Sequence, residues 1–318
     1  MAYDVSTLGA YVPQNTNTVL LASVFGTRFM KEALAKGNLQ LGVKTSSKII
    51  LMDGPVTLQA QNGCTWLPSG SANITDKTIT VAALALQEEF CAKDVQAKYL
   101  QLEMMPGSDN FDETIFKDKL IETKQKRLAE ANENLLLKGD TAGSGNLVFM
   151  DGLNKQVTTG GIPSNTAPFT TGGPIATATG ITVANVMAIF DGIENATPLA
   201  VSEQEDRIVI CGSDTAKKYG QALRNANLFA YSLTQDGTND FIIPGTSTRV
   251  MPVGGMNGSN MILSFAWSNV VTALDLEGEE DKIELLYDAG SRKVRVEALY
   301  KVGMTFARNS EVAYFKLV

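Results

Sequence analysis

From Phe111 to Lys138 the sequence runs for 28 residues without a glycine or proline, and both ends carry the chemistry that starts and stops a helix. Asn110 and Glu113 have the spacing of a capping box, Asp112 places negative charge in the first turn, and Gly139 accepts the left-handed turn that ends a helix. At 1.5 Å per residue the predicted rod is about 42 Å long. Phe116, Leu120, Leu128, Ala131 and Leu135 trace one face of it. Six acids (Asp112, Glu113, Asp118, Glu122, Glu130, Glu133) and six bases (Lys117, Lys119, Lys124, Lys126, Arg127, Lys138) share the rest, which predicts a charge-balanced, solvated surface. The Lys124/Lys126/Arg127 cluster can touch phosphates, but the acids between them favour the solvated reading.

Whole classes of chemistry are excluded by composition. The 318 residues contain no histidine, which removes Ser-His-Asp and Cys-His catalysis, His-ligated zinc and a histidine proton switch. A formal net charge of −7 with no dense basic tract disfavours broad binding to a phosphate backbone. Cys64, Cys91 and Cys211 are odd in number and far apart, so they read as small buried hydrophobes rather than a disulfide framework or metal clip. The N-terminus lacks a basic and apolar signal, and no stretch approaches the roughly 20 apolar residues that span a bilayer. The sequence therefore predicts a chain made in the cytoplasm with no membrane partner.

Residues 1–44 combine polar spacers with an amphipathic stretch from Val19 to Ala35, in which Leu20, Val24, Phe29 and Ala33 fall on one helix face. A frayed terminus and an arm docked on a neighbouring subunit are both open readings. The second gives Leu20, Leu21, Phe25 and Phe29 a reason to be apolar. Residues 45–84 read as a long two-stranded loop. Candidate strands Lys48–Met52 and Lys77–Ala82 enclose a turn-rich middle with Gly54-Pro55, Asn62-Gly63 and Pro68-Ser-Gly70.

Past the long helix, residues 156–190 carry no charge before Asp191 and are crowded with Thr, Gly and Pro, which marks a loop-rich boundary. A helix is expected over Val183–Glu194, then a strand over Arg207–Cys211. A further helix follows, capped by Ser213 and carrying Ala216, Tyr219 and Leu223 at helical spacing. The strand-to-helix turn at Cys211-Gly-Ser-Asp214 imitates a phosphate or nucleophile turn without any of the glycine-rich motifs that make one. Strands then recur at Arg249–Val253, Met261–Phe265, Val270–Leu274, Lys282–Tyr287 and Lys293–Tyr300, the last alternating Val294, Val296 and Ala298 with charged residues. The acidic run Glu277, Glu279, Glu280 and Asp281 lacks the spacing of a calcium loop and reads as a solvated turn.

The order of these elements resembles the major capsid protein of tailed bacteriophages, the Hong Kong 97-type fold. The residues that carry the likeness are Leu135-Leu-Leu-Lys-Gly139 followed by Phe149-Met-Asp-Gly-Leu153, then Ile243-Pro-Gly245 with Val250, and Met261-Ile-Leu-Ser-Phe265. The closing pattern is Asp288, Arg292-Lys-Val-Arg-Val296 and Lys301-Val-Gly303. The resemblance implies an α+β fold with an N-terminal arm (1–44), an extended loop (45–84), a peripheral domain with the spine helix (85–155), an axial domain (156–275) and return strands of the peripheral domain (276–318). It implies no catalysis and no cofactor. The chain is expected to assemble with itself into pentamers and hexamers of an icosahedral phage head.

Other expected partners are a separate scaffolding protein, a portal protein at one vertex, a possible decoration protein and packaged double-stranded DNA held without sequence specificity. Leu20, Leu21, Phe25, Phe29, Leu51, Met52, Trp66 and Leu67 are the expected inter-subunit contacts, because greasy residues on protruding segments need cover from another chain. Some members of the family weld their shells through a lysine of the extended loop. No lysine lies between Ile49 and Asp76, so no such bond is expected. The short lead into the arm implies little or no removed prepeptide. Three rivals remain open: an encapsulin-like nanocompartment shell holding enzyme cargo, an enzyme built on Glu203, Glu205 and Asp206, and a tail-tube component, which the long helix opposes.

Overall fold

The computed structural model describes residues 28–54, 56–58, 72–91, 113–163, 180–226, 240–275, 284–288 and 293–316. In chain order the first elements are α1 (Arg28–Lys36), β1 (Asn38–Leu41), β2 (Ser46–Asp53), β3 (Asn73–Thr80), β4 (Ala82–Cys91) and the long helix α2 (Glu113–Lys138). Next come α3 (Leu153–Val157), β5 (Ile162–Pro163), α4 (Val186–Ala196), α5 (Leu199–Ser202), β6 (Arg207–Gly212), α6 (Ser213–Asn225), β7 (Phe241–Ile242) and β8 (Arg249–Val253). The chain closes with β9 (Met261–Ala266), β10 (Val270–Leu274), β11 (Glu284–Asp288), β12 (Lys293–Phe306) and β13 (Ala313–Lys316).

Three sheets organise these strands. A six-stranded sheet has the order β5-β13-β9-β6-β8-β7, with β6 and β8 parallel and β9 antiparallel to β6. A five-stranded sheet has the order β1-β10-β12-β11, with β4 also paired to β12. β12 is its spine: residues 293–302 pair with β4, and residues 302–306 pair with β10. The third sheet is β2 and β3 alone.

Period-two alternation in β6 explains how the six-stranded sheet is covered on both faces. Val209 and Cys211 face a core with Ile189, Phe190 and Ile193 of α4 and Tyr219, Ala222 and Leu223 of α6. Ile208 and Ile210 face the other way, into a larger core with Leu135, Leu136 and Leu137 of α2, Leu153 and Val157 of α3, and Val296, Ala298, Tyr300 and Val302 of β12. The second core therefore joins both large sheets to the end of the long helix. At roughly 2 kcal/mol per fully buried large apolar side chain, it is the main source of the body's stability.

Several expectations change. The segment 28–44, read as part of an arm, is built into the body of its own chain: β1 runs parallel to β10 from Asn38↔Val271 to Leu41↔Leu274, and α1 buries Phe29, Met30 and Ala33. Phe29 is 0% exposed, and its ring lies 5.7 Å from Trp267, so its apolar surface is spent inside its own chain. β10 belongs to the five-stranded sheet and not with the strands of 156–275, while β13, expected among the peripheral return strands, pairs with β9 and β5 in the six-stranded sheet. Sequence spacing shows that a strand exists but not which open edge it meets. On α2, Glu133 is buried rather than solvated, because its Oε1 accepts the Gly255 N–H at 2.7 Å.

Helix α4 starts three residues later than expected, because Asn185 Oδ1 accepts the Thr182 N–H at 2.7 Å and holds a turn there. Ser213 is the first residue of α6 and makes no side-chain cap; the cap comes from across the fold, where Asn257 Oδ1 accepts the Ser213 N–H at 2.7 Å.

Candidate functional site

β2 and β3 pair antiparallel from Ser46↔Thr80 to Asp53↔Asn73, a register that sorts their side chains onto two faces. One face carries Ser47, Ile49 and Leu51 from β2, with Lys77 and Ile79 from β3. Ile79 is fully buried with Val43, Val271 and Ala273 in a small core of its own. The opposite face carries Lys48, Ile50 and Met52 against Thr78, Asp76 and Ile74. Ile50 is 75%, Met52 62% and Ile74 63% exposed, and Val56 and Leu58 just beyond the strand are exposed further, at 85% and 91%.

The three large apolar side chains of this face leave on the order of 400 Å² open, within the range of the largest patch on a soluble monomer. Lys48 Nζ and Asp76 Oδ2, 2.8 Å apart, close one end of the stripe. The Lys48 hydrogen bond holds the Asp76 carboxyl below its ordinary range, and Asp76 in turn raises the Lys48 ammonium.

The hairpin is tied to the body along its length by a reciprocal clasp. Lys77 Nζ donates to Phe306 O and, at 2.8 Å, to Asn309 Oδ1, while Arg308 Nη2 donates to Met52 O at 2.8 Å. Burial lowers the Lys77 pKa, the cost of holding an ammonium on neutral oxygens. Gly303 makes the crossing possible, since a Cβ there would meet Thr80 O at 2.3 Å. Between β1 and β2 lies a groove of about 670 Å³, with Asn38, Leu39 and Gln40 on one wall, Lys48 to Met52 on the other, and Ser268, Val271, Ala307 and Arg308 below.

Of the contact residues expected from the sequence, Met52 lies on the outward stripe and Leu51 on the inward face, half-buried beside the groove. Leu20, Leu21, Phe25, Trp66 and Leu67 lie outside the described residues, as do Asn110, Asn62-Gly63 and the run Glu277–Asp281. Ile50, Ile74, Val56 and Leu58 were missed. The period-two spacing of Ile50 and Met52 was the signal available, but Ile49 and Leu51, which alternate with them, are apolar too, and which of the two faces is covered depends on how the hairpin root sits on β12.

Among the described residues the candidate carboxylates are not brought together with partner groups into a cluster. Glu203 and Glu205 are exposed, and Asp206 Oδ2 is occupied by the Ser268 N–H at 2.7 Å. Among the described residues no group of three or more His, Cys, Asp or Glu side chains is placed to hold a metal. Cys211 is fully buried, and burial drives its thiol pKa far up, as expected of a cysteine acting as a hydrophobe; Cys64 lies outside the described residues, and so does the side chain of Cys91. Among the described residues no helix is long and apolar enough to cross a membrane.

No family model matches the sequence, and no curated protein matches it. Solved structures do. A chain of the satellite phage P4 procapsid including the size determination (Sid) protein is similar over 94% of this chain and 96% of its own, at 11% identity and a TM-score of 0.55. A chain of Gordonia phage Cozz is similar over 90% and 86%, at 8% identity and 0.56. The capsid of the Myoviridae phage XM1 is similar over 92% of both chains, at 13% identity and 0.54. The mixed helix and strand fold, over nearly its whole length, is the fold of phage capsid proteins, as the resemblance in the sequence implied.

Proposed function

We propose that this chain, with its Hong Kong 97-type capsid fold, is the major shell protein of a phage head and works by assembling with copies of itself. The observation that carries the reading is the outward face of the β2–β3 sheet. Ile50, Met52 and Ile74 form an apolar stripe on an excursion whose other face packs toward its own body, and Val56 and Leu58 beyond the strand are exposed as well. Covering that stripe with a neighbour would contribute on the order of 10 kcal/mol before ordering costs, at roughly 25 cal/mol per Å². Spread over every subunit, such contacts give a shell without strong binding at any single one.

The finer reading is of pentamers and hexamers closing an icosahedral head around double-stranded DNA, with a separate scaffolding protein and a portal as partners. A net charge of −7 suits a wall that does not trap its contents. Catalysis is no part of this function. Purified protein, alone and co-expressed with a scaffolding protein from the same gene neighbourhood, should give capsomers or uniform shells in electron micrographs. A monodisperse monomer under every condition overturns the proposal.

A further inference from the structure

The turn between β8 and β9 meets the end of the long helix through the carbonyl of one peptide. Ser259 N–H donates to Met256 O at 3.1 Å, Asn257 has φ −57° and ψ 133°, and Gly258 has φ +73°. These dihedrals are those of a type II turn, which needs a positive φ at its third residue and finds glycine there. Lys138 Nζ, on the last residue of α2, donates to Asn257 O, the carbonyl of the turn's middle peptide.

Glycine also leaves the alternative open. In a type I turn over the same four residues the middle peptide is turned over by about 180° and residue 258 has a negative φ, which glycine adopts as readily. The flip carries the Asn257 carbonyl away from Lys138 and brings the Gly258 N–H round in its place. Among the described residues that N–H has no acceptor. Burial lowers the Lys138 pKa, and the carboxylates of Asp214 on α6 and Glu133 on α2 partly offset this. An ammonium at this place favours the carbonyl side of the peptide, whereas with the cation gone the remaining carboxylates favour the N–H side.

We propose that the Asn257–Gly258 peptide is a two-position catch and that the Lys138 ammonium on the long helix selects its type II setting. The helix end and the six-stranded sheet then change their relation in a discrete step, with the peptide either facing the cation or turned from it, rather than by gradual sliding. Glu133, bonded to the Gly255 N–H, is the pivot of that step. The catch stands on these contacts alone and does not depend on shell assembly.

The test reads the turn by NMR in the full-length chain, in solution or, for particles, by magic-angle spinning. A type II turn brings Asn257 Hα close to the Gly258 amide proton, whereas a type I turn brings the amide protons of the two residues together. The parent and Lys138→Arg should show the first contact. Lys138→Met should weaken it at least threefold and raise the second, toward the pattern of Gly258→Ala, whose β carbon disfavours a positive φ. Lys138→Glu should go further the same way. Should Lys138→Met not fold, Lys138→Gln removes the charge and is read in the same manner. An unchanged type II pattern in a folded variant without the cation overturns the inference, and so does a flipped turn in Lys138→Arg.

Discussion

Glu133 Oε1 on the long helix accepts the backbone N–H of Gly255, at 2.7 Å, in a place where neither group reaches water. Gly255 belongs to the turn between β8 and β9, so this one bond fastens the helix to the six-stranded sheet at the centre of the main core. The approach is close: a Cβ on residue 255 would meet both Glu133 Cγ and Leu137 Cδ1 at 2.8 Å. Gly255→Ala should therefore cost about 1–3 kcal/mol by overpacking. Glu133→Ala should cost about as much for a different reason, since it strands a buried N–H. Urea unfolding of both variants measures the two costs, and a double variant should show that they are not additive.

Asn257 closes the N-terminus of α6 from outside the helix. Its Oδ1 accepts the Ser213 N–H, and Lys138 Nζ from the long helix donates to its carbonyl. Asn257→Ala should lower stability by about 1 kcal/mol, the ordinary worth of a helix cap, whereas Ser213→Ala should be near neutral because its hydroxyl caps nothing. Thermal unfolding of the pair distinguishes the distant cap from the local one.

Lys155 sits between two carboxylates, 2.7 Å from both Asp140 Oδ1 and Asp151 Oδ1, and holds the loop that follows the long helix. Its hydrogen bonds lower the pKa of both acids below the ordinary carboxylate range. A depressed pKa gives stability that is present above the unfolded value, about 4, and lost as pH falls through the folded values. The loop's amides should lose exchange protection in that acid window. In Lys155→Met, carboxyl titration by NMR should find both acids moved up toward the ordinary range.

The outward stripe should matter to assembly and hardly at all to folding. Ile50→Asp and Ile74→Asp replace side chains that are mostly in water, so unfolding free energies should stay within about 0.5 kcal/mol of the parent. Particle yield by electron microscopy and sedimentation should fall at least tenfold in either variant. A variant that folds and still assembles normally shows that the stripe is not the contact.

The clearest agreement between sequence and structure lies in segments whose pattern is local. The long helix, the β6 strand and the alternation of β12 were all readable, because each is set by periodicity and by residues a few positions apart. The candidate surface was half readable. Met52 and Leu51 stood out as apolar residues on a polar excursion, but they point to opposite faces of the hairpin.

Composition and spacing were enough to remove histidine chemistry, to place a long helix, 28 residues as read and 26 as found, ahead of a helix-strand-helix region, and to order these elements along a fold. Tertiary structure alone decided that Phe29 faces inward onto Trp267, that Glu133 is an internal acceptor, that Asn257 caps a helix 44 residues away, and that β13 joins the six-stranded sheet. The division has one physical cause. Local pattern reports which side of an element wants to leave water, but the partner that covers it is chosen by surfaces distant in sequence.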